Sequence, residues 1–229
     1  TAGLVIDSLT GAIDLANSNP GNYDITYTPP SNWQQIGQDI DGEAAADLSG
    51  NSVSLSLDGS IMAIGAIDND GNGNRAGHVR VFENIGGSWS QIGQDIDGEA
   101  TDDRSGWSVS LSSDGSIVAI GAFGNDGNGN NAGHVRIFEN IGGSWSQIGQ
   151  DIDGEATDDR SGCSVSLSSD GSKVAIGAYG NYGNGNAAGH VRIFENIGGS
   201  WYQIGQDIDG EAVSDGSGYS VSLSSDGSI

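Results

Sequence analysis

The segment "GNDGNGNNAGHVR", residues 124–136, places Asp and Asn side chains on alternate positions with glycines between them. Its first copy is the richest in oxygen, because Asp68, Asp70, Asn72 and Asn74 alternate there. Carboxylate and amide oxygens are the ligands that Ca²⁺ takes in proteins, although the ion needs six to eight of them. Asn-Gly and Asp-Gly are also strong hairpin signals, so a turn without an ion is the alternative. Calcium is the one cofactor that the sequence suggests.

The oxygen ligands decline from copy to copy of this loop. Gly124 stands in the second copy where the first has Asp68, and Tyr182 stands in the third where the first has Asp70. A required ion would not tolerate this loss, which favours a hairpin turn in the later copies. The acidic segment "DIDGEATDD", residues 95–103, also repeats and is an equally plausible weak cation site, with a solvated loop as its alternative.

Histidines and arginines recur once per copy, at the same strand position. We interpret the histidines as structural, since repetition places them apart rather than around one ion, and they are His78, His134 and His190. An arginine follows each by two residues on the same strand face, and we expect each to pair with an acidic neighbour because unpaired Arg is rarely buried. An active site needs one asymmetric constellation, and none is found, so we expect no enzyme.

All of these residues belong to a tandem repeat. Four tryptophans at intervals of 56 residues mark its period: Trp33, Trp89, Trp145 and Trp201. Within one copy the apolar period is two, as in "SVSLS" and "HVRIF", and "IVAIGA" suits a strand that is buried on both faces. Turn signals such as "SSDGS" and "ENIGGS" separate the strands. We expect the tryptophans to be packing anchors, largely buried between neighbouring units.

Four strands per copy predict an all-β fold, a β-propeller of four-stranded antiparallel blades, with a β-solenoid as the alternative. The propeller would occupy residues 31–229, with an outer strand at 33–41 followed by the blades. The predicted blades are residues 49–97, 105–153, 161–209 and a partial 217–229. Three complete blades cannot close a ring, so we expect an open arc or an incomplete ring that could self-associate through its incomplete blades.

The repeat resembles the FG-GAP repeat of integrin-α-type β-propellers, in its marine bacterial version. The matching segments are "SGWSVSLSSDGSIVAIGA", "GNDGNGNNAGHVRIFE" and "GGSWSQIGQDIDGEA", and the resemblance covers Trp33 to Ile229. Residues 1–30 have no copy downstream and resemble the closing strands of an Ig-like or cadherin-like module in secreted proteins of marine Bacteroidetes. "TPPSN" would then be a stiff linker, and the chain a part of a larger surface protein.

The net charge of −24 disfavours nucleic acid and anionic membranes, which need Lys and Arg. No run of 18 apolar residues exists, so no membrane insertion is expected. Together with the tandem blades, these features predict a non-enzymatic binding or adhesion module that is extracellular or on the cell surface. A carbohydrate-binding domain accessory to a polysaccharide-degrading enzyme and a structural spacer are the alternatives.

Differences between the copies gather in two loops, and they indicate where a ligand would bind. One loop precedes the first strand of each blade, and the other follows the second strand. In an up-and-down blade these two loops lie at the same end, whereas the opposite end hardly varies. The non-repeating aromatic residues concentrate in or beside these loops, and we predict that they contact a protein or glycan: Trp107, Phe123, Tyr179, Tyr182 and Tyr219.

Overall fold

The computed structural model describes residues 34–228, and its structure is entirely β. Two compact units divide the chain, Thr1–Gln35 and Ile36–Ile229, and the strands of the described residues lie in the second. The Ig-like module predicted at residues 1–30 and the first tryptophan, Trp33, lie outside the described residues. Among residues 34–228, no helix has the length and apolarity that crossing a membrane requires.

Three sheets succeed one another along the chain, each corresponding to one repeat. The first contains β1 Ser49–Leu55, β2 Ile61–Ala66, β3 His78–Ile85, β4 Ser88–Gln91 and β5 Ile96–Asp97. The second contains β6 Ser108–Leu111, β7 Ile117–Ala122, β8 His134–Ile141, β9 Ser144–Gln147 and β10 Ile152–Asp153. The third contains β11 Ser164–Leu167, β12 Lys173–Ala178, β13 His190–Ile197, β14 Ser200–Gln203 and β15 Ile208–Asp209. This is the architecture of an open β-propeller, as the repeat predicts.

Each blade is an antiparallel meander whose outer strand is interrupted. In the second blade, β9 pairs with the second half of β8, and β10 pairs with its first half. Residues 148–151 loop out between them, so "WSQIGQDI" forms two short pieces rather than one strand. This explains why the segment shows the least regular alternation of the four, and it frees Asp151 to face inward.

Consecutive blades pack face to face through apolar side chains. Val79 and Val81 from the first blade form one core with Val118, Ile120 and Trp145 from the second. The opposite face of the second blade forms an equivalent core with the third. Both faces of the middle strands are therefore buried, which accounts for their continuous apolar sequences. The prediction of buried tryptophans is confirmed for Trp145 and Trp201, which are 5% and 3% exposed.

A glycine in each second strand permits this close approach. A Cβ atom on Gly121 would lie 2.0 Å from the carbonyl oxygen of Gly162, which belongs to the next repeat. Gly65 and Gly177 meet the next repeat in the same way, at 2.1 and 1.9 Å. Because no side chain fits there, the "IGA" motif is a requirement of blade docking rather than of strand formation.

The two incomplete repeats keep some of these contacts without forming strands. Of the outer strand predicted at residues 33–41, the described part, residues 34–41, forms no strand. The backbone of this segment still accepts a hydrogen bond from the Trp89 side chain, whose Nε1 lies 3.0 Å from the Ile36 carbonyl oxygen. Residues 217–228 also form no strand, although Leu223 N–H donates to Ser166 Oγ at 3.0 Å.

The recurring turn "SSDGS" contributes stability that depends on the charge of its aspartate. Asp170 Oδ1 accepts hydrogen bonds from Ser168 Oγ, Ser172 N and Ser172 Oγ at 2.7–2.9 Å, which lowers the pKa of Asp170 to about 2. A carboxyl group with a lowered folded-state pKa stabilises the fold above its unfolded pKa of about 3.9. This contribution is lost as the pH falls from about 4 to about 2.

We therefore expect Asp170→Asn to lower the melting temperature near neutral pH and to have little effect near pH 2. Asparagine keeps an oxygen acceptor but carries no charge, so the comparison isolates the carboxylate. Thermal denaturation of both proteins across this range measures the difference. A difference that stayed constant with pH would show that the charge of Asp170 contributes nothing.

Candidate functional site

The two variable loops lie at the same end of the blades and are joined by backbone hydrogen bonds. Asp102 N–H donates to the Asn74 carbonyl oxygen at 2.9 Å, and Arg104 N–H donates to the Arg75 carbonyl oxygen at 3.1 Å. These bonds connect the loop that precedes β6 with the loop that follows β2 in the preceding blade. We call the surface that these loops form at successive blades the variable face.

The five predicted aromatic residues form two groups rather than one patch. Trp107 packs edge-on against Phe123 with 4.4 Å between the ring centroids. Tyr179 packs against Tyr219 with 5.5 Å between the centroids, and it lines one pocket together with Tyr182. Tyr182 and Tyr219 are 50% and 73% exposed, whereas the other three rings are half-buried.

Each group lies beside an arginine and a pocket. The Arg104 guanidinium lies over the Phe123 ring at 5.7 Å, and both residues line a pocket of about 370 Å³. In the third blade the Arg160 guanidinium lies over the Tyr179 ring at 5.3 Å and donates a hydrogen bond to the Tyr179 hydroxyl. The second pocket, of about 260 Å³, contains this pair and Tyr182. Each pocket therefore combines an aromatic wall with a fixed positive charge.

The arginines were not predicted as site residues, although the sequence carries a signal for them. The chain has only 7 Lys and Arg residues against 31 Asp and Glu residues. Arg75, Arg104 and Arg160 all belong to the variable loops, so this surface holds a large share of the scarce positive charge. Arg75 also forms an ion pair with Asp102, at 2.5 Å, across the boundary between two repeats.

The variable loops also contain the non-glycine residues that have a left-handed backbone. Asp102 and Arg104 have φ of 67° and 54°, and Arg75 in the preceding blade has φ of 53°. Such a conformation costs an L-residue about 1–2 kcal/mol. Strained backbone of this kind concentrates at ligand sites, where the surrounding structure holds it in place. The variable face thus keeps side chains where glycine would be more stable.

Leu48→Gly should stabilise the protein by about 0.5–1 kcal/mol, because Leu48 has φ of 55° and is 54% exposed. The corresponding position in the last repeat is Gly216, which also has a left-handed backbone. The matched control is Leu57→Gly, since Leu57 is exposed but has no positive φ. Chemical denaturation should show a higher free energy of unfolding for Leu48→Gly but not for Leu57→Gly. Equal losses in both variants would mean that the backbone at Leu48 is not strained.

Three of the four predicted calcium ligands take part in hydrogen bonds, either within their own loop or to the loop before the next blade. Asp70 Oδ1 accepts a hydrogen bond from Arg75 N at 2.8 Å, and Asn72 Nδ2 donates to the Gly98 carbonyl oxygen at 2.8 Å. Asn74 Nδ2 lies 3.5 Å from Asp70 Oδ1, and Asp68 Oδ1 is buried without a hydrogen-bond partner. The third copy, which has no carboxylate, keeps the asparagine bond through Asn184. This recurrence favours a hairpin loop fixed by asparagine.

A buried acid connects the two variable loops and was missed by sequence reasoning. Asp103 is 1% exposed, and its Oδ2 accepts hydrogen bonds from Ala100 N at 2.9 Å and from Asn125 Nδ2 at 3.2 Å. Asp47 and Asn69 form the same connection in the first blade. The acid therefore holds the loop before the first strand against the loop after the second.

The buried histidines have fewer hydrogen-bond partners than structural histidines usually have. All three are 1% exposed, but neither ring nitrogen of His190 has a hydrogen-bond partner, and Nε2 of His134 also has none. Burial, reinforced by Arg136 and opposed by Asp151, lowers the pKa of His134 to about 4. The interpretation of satisfied structural histidines is thus wrong for His190. The pairing predicted for arginine is confirmed, with Arg136 Nη1 3.4 Å from Glu99 Oε1.

Comparison with known proteins agrees with the fold. Residues 96–138 match the family model described as the FG-GAP repeat, and the match covers strands of the first and second blades. The marine bacterial type and the Ig-like module remain predictions. No curated protein matches the chain.

Solved structures with a similar fold have little sequence in common with this chain. One is a putative 6-phosphogluconolactonase from Bacteroides uniformis, at 16% identity and a TM-score of 0.45, with 69% of this chain and 39% of that chain covered. Another is the hydrazine synthase of Kuenenia stuttgartiensis, at 12% identity and 0.41, with 69% and 36% covered. A third is Saccharomyces cerevisiae Sqt1, at 12% and 0.42, with 71% and 36% covered. The chain thus spans less than two fifths of these three structures.

Proposed function

We propose that this protein is a non-enzymatic binding or adhesion module that acts outside the cell or on its surface and binds its ligand on the variable face. One observation carries the proposal: two consecutive blades present, on the same loop surface, a pocket that contains an aromatic ring and an arginine. The rest of the repeat is nearly constant, so this surface is where the copies differ. FG-GAP propellers are commonly binding modules, which agrees with this role.

A glycan is the second candidate for the ligand, and the composition of the pockets favours it. Phe123 and Tyr179 offer flat apolar surfaces on which a sugar ring can stack. Asp102, Asp126 and Arg104 in the first pocket supply acceptors and donors for hydroxyl groups. Sites for small polar ligands combine these two kinds of group. The module would then serve a polysaccharide-degrading enzyme or adhere to glycans directly.

The decisive experiment compares the wild type with a triple variant, Trp107→Ala, Tyr179→Ala and Tyr182→Ala. We expect the wild type to bind a subset of a glycan array or an extracellular protein, and the triple variant to lose this binding. The control variant is Trp89→Ala, which alters an aromatic residue on an outer strand away from the variable face. Flat binding across all glycans would remove the lectin alternative. Unchanged binding by the triple variant would refute the proposed surface.

Calcium has at most a small effect in this proposal. A saturated tight site stabilises a protein by about 3–4 kcal/mol, whereas Asp70 already accepts from Arg75 N and Asn72 already donates to the Gly98 carbonyl oxygen. The metal-free protein should therefore melt within a few degrees of the same protein in millimolar calcium. A larger shift would place a real calcium site in the acidic loops, and Asp70→Asn should then abolish it.

We also propose self-association through the two outermost blade faces. Leu55 is 54% exposed on the first blade, whereas its equivalents Leu111 and Leu167 are each 8% exposed. At the other end, Ile208 is 50% exposed, whereas Ile152 is 4% exposed. The two faces complement each other as consecutive blades do within the chain. Sedimentation at rising concentration should show association that Leu55→Asp abolishes, and a strictly monomeric wild type would contradict it.

A further inference from the structure

A second kind of site recurs at the blade junctions, on the outer side of the cores. Each copy combines a glutamate, a histidine and an aspartate whose ligand atoms lie within 4.8 Å of one another. The three sets are Glu43, His78 and Asp95; Glu99, His134 and Asp151; and Glu155, His190 and Asp207. The glutamate comes from the connection between two blades, and the histidine and the aspartate come from the blade that follows. We propose that these three sets bind divalent transition-metal ions of the zinc type.

The distances leave room for an ion but do not form hydrogen bonds. His190 Nδ1 lies 3.9 Å from Glu155 Oε2 and 3.7 Å from Asp207 Oδ2. A hydrogen bond would need about 2.7–3.2 Å. Two ligands of one tetrahedral zinc ion lie about 3.3 Å apart, given bonds of 2.0–2.1 Å. Each of these two histidine–carboxylate distances would need to shorten by about half an ångström to match that spacing.

The buried histidine supplies independent support. His190 is 1% exposed, and both of its ring nitrogens lack a hydrogen-bond partner. A buried polar group without a partner destabilises the fold and calls for an explanation such as an ion or water. Its Nδ1 is directed at the two carboxylates, so an ion between the three groups would satisfy it.

The aspartate is held in position as metal ligands commonly are. Gln147 Nε2 donates a hydrogen bond to Asp151 Oδ1 at 2.6 Å, and Asp151 Oδ2 lies 3.9 Å from His134 Nδ1. The same glutamine bond fixes Asp95 and Asp207. Hydrogen bonds to one ligand oxygen orient the other toward the metal. The loop between β9 and β10, which interrupts the outer strand, is what brings Asp151 here.

The neighbouring arginine leaves one glutamate oxygen for the ion. Arg136 Nη1 lies 3.4 Å from Glu99 Oε1, and its Nη2 donates to the Asp97 carbonyl oxygen at 2.6 Å. Oε2 of Glu99 faces the histidine instead.

The two carboxylates and the imidazole of each set favour zinc over calcium. Ca²⁺ takes oxygen ligands only, whereas imidazole nitrogen suits zinc and its neighbours in the transition series. Two carboxylates and one imidazole leave a fourth position for water. The glutamates are 43–45% exposed, so ions can enter from solvent.

Zinc content of the intact, folded chain tests the proposal. The protein is stripped of metal, and Zn²⁺ is titrated by calorimetry in excess Ca²⁺, which saturates the acidic surface. We expect three bound zinc ions per chain, one for each set. His134→Gln and Asp151→Asn should each reduce the stoichiometry to two. Glu139→Gln, which removes an exposed carboxylate from the same strand, should keep three.

Cobalt provides a readout that does not depend on variants. Co²⁺ bound to imidazole in a four-coordinate site should give intense visible absorption in the wild type, and excess Zn²⁺ should abolish it. Circular dichroism verifies that each variant is folded; if His134→Gln fails to fold, Asp151→Asn and Glu99→Gln test the same set. A wild type that takes up no zinc in excess calcium overturns the proposal. The proposal is also overturned if Asp151→Asn is folded and still binds three zinc ions per chain.

Discussion

Trp145→Ala should destabilise the protein by about 3–5 kcal/mol, the largest loss that we expect from any single change. The Trp145 side chain is 5% exposed in the core between the first and second blades, and its Nε1 donates to the Ile92 carbonyl oxygen at 2.9 Å. Truncation removes the ring, leaves a cavity and orphans this carbonyl. Chemical denaturation measures the loss, which corresponds to a fall of about 10 °C or more in melting temperature for a chain of this size.

The repeat supplies its own controls for this prediction. Trp89 makes the same hydrogen bond, to the Ile36 carbonyl oxygen, but its ring is only half-buried. Trp89→Ala should therefore cost less than half as much as Trp145→Ala, and Trp201→Ala should cost about as much as Trp145→Ala. Trp145→Phe keeps an aromatic ring but removes the hydrogen-bond donor, so it distinguishes the energy of ring packing from that of the hydrogen bond. Equal losses at Trp89 and Trp145 would show that blade packing does not set the energy.

Much of this fold could be predicted because the repeat makes local signals unambiguous. The alternation in "SVSLS" and the apolar run "IVAIGA" predict strands, and the recurrence of tryptophan at one position predicts a packing anchor. Repetition also predicts that loops on one side of the middle strands share an end. The structure confirms the strands and places the varied loops together.

The sites were harder to predict because they are assembled between repeats. Glu99, His134 and Asp151 come from three separate segments, and only the docking of consecutive blades brings them together. The break in the outer strand, which turns Asp151 inward, carries no strong turn signal. Likewise, the aromatic residues look like one set in the sequence, whereas Trp107 pairs with Phe123 of its own blade and Tyr179 pairs with Tyr219 of the next repeat. Distances between repeats are set by blade docking and not by strand periodicity.

Asp103 illustrates the same limit at a single residue. In "DGEATDDRSG" it stands beside Asp102, and nothing in the sequence distinguishes the two. In the structure Asp102 is exposed, whereas Asp103 is 1% exposed and holds two donors. A loop that reads as a solvated acidic segment thus contains a structural acid. The difference arises because the following blade covers only one of the two side chains.

Asp103→Ala should destabilise the protein by about 3 kcal/mol, because it leaves the buried Asn125 Nδ2 and the part-buried Ala100 N without this acceptor. Asn125→Ala removes one of these donors and should cost less. In a double-mutant cycle the two changes should be non-additive, since they share one hydrogen bond. Asp102→Asn is the matched control and should change stability by less than about 1 kcal/mol, because its ion pair with Arg75 is exposed.

Asp103→Ala should also increase the mobility of the variable face more than that of the cores between blades. Asp103 ties the loop before β6 to the loop after β7, which supplies Phe123 and Asn131 to the first pocket. Amide hydrogen exchange should therefore accelerate in residues 123–133 of Asp103→Ala, while β7 and β8 stay protected. Exchange that rises equally in strands and loops would indicate that Asp103 supports the whole blade. Exchange that rises only at the loops would make Asp103 the residue that keeps the binding surface in place.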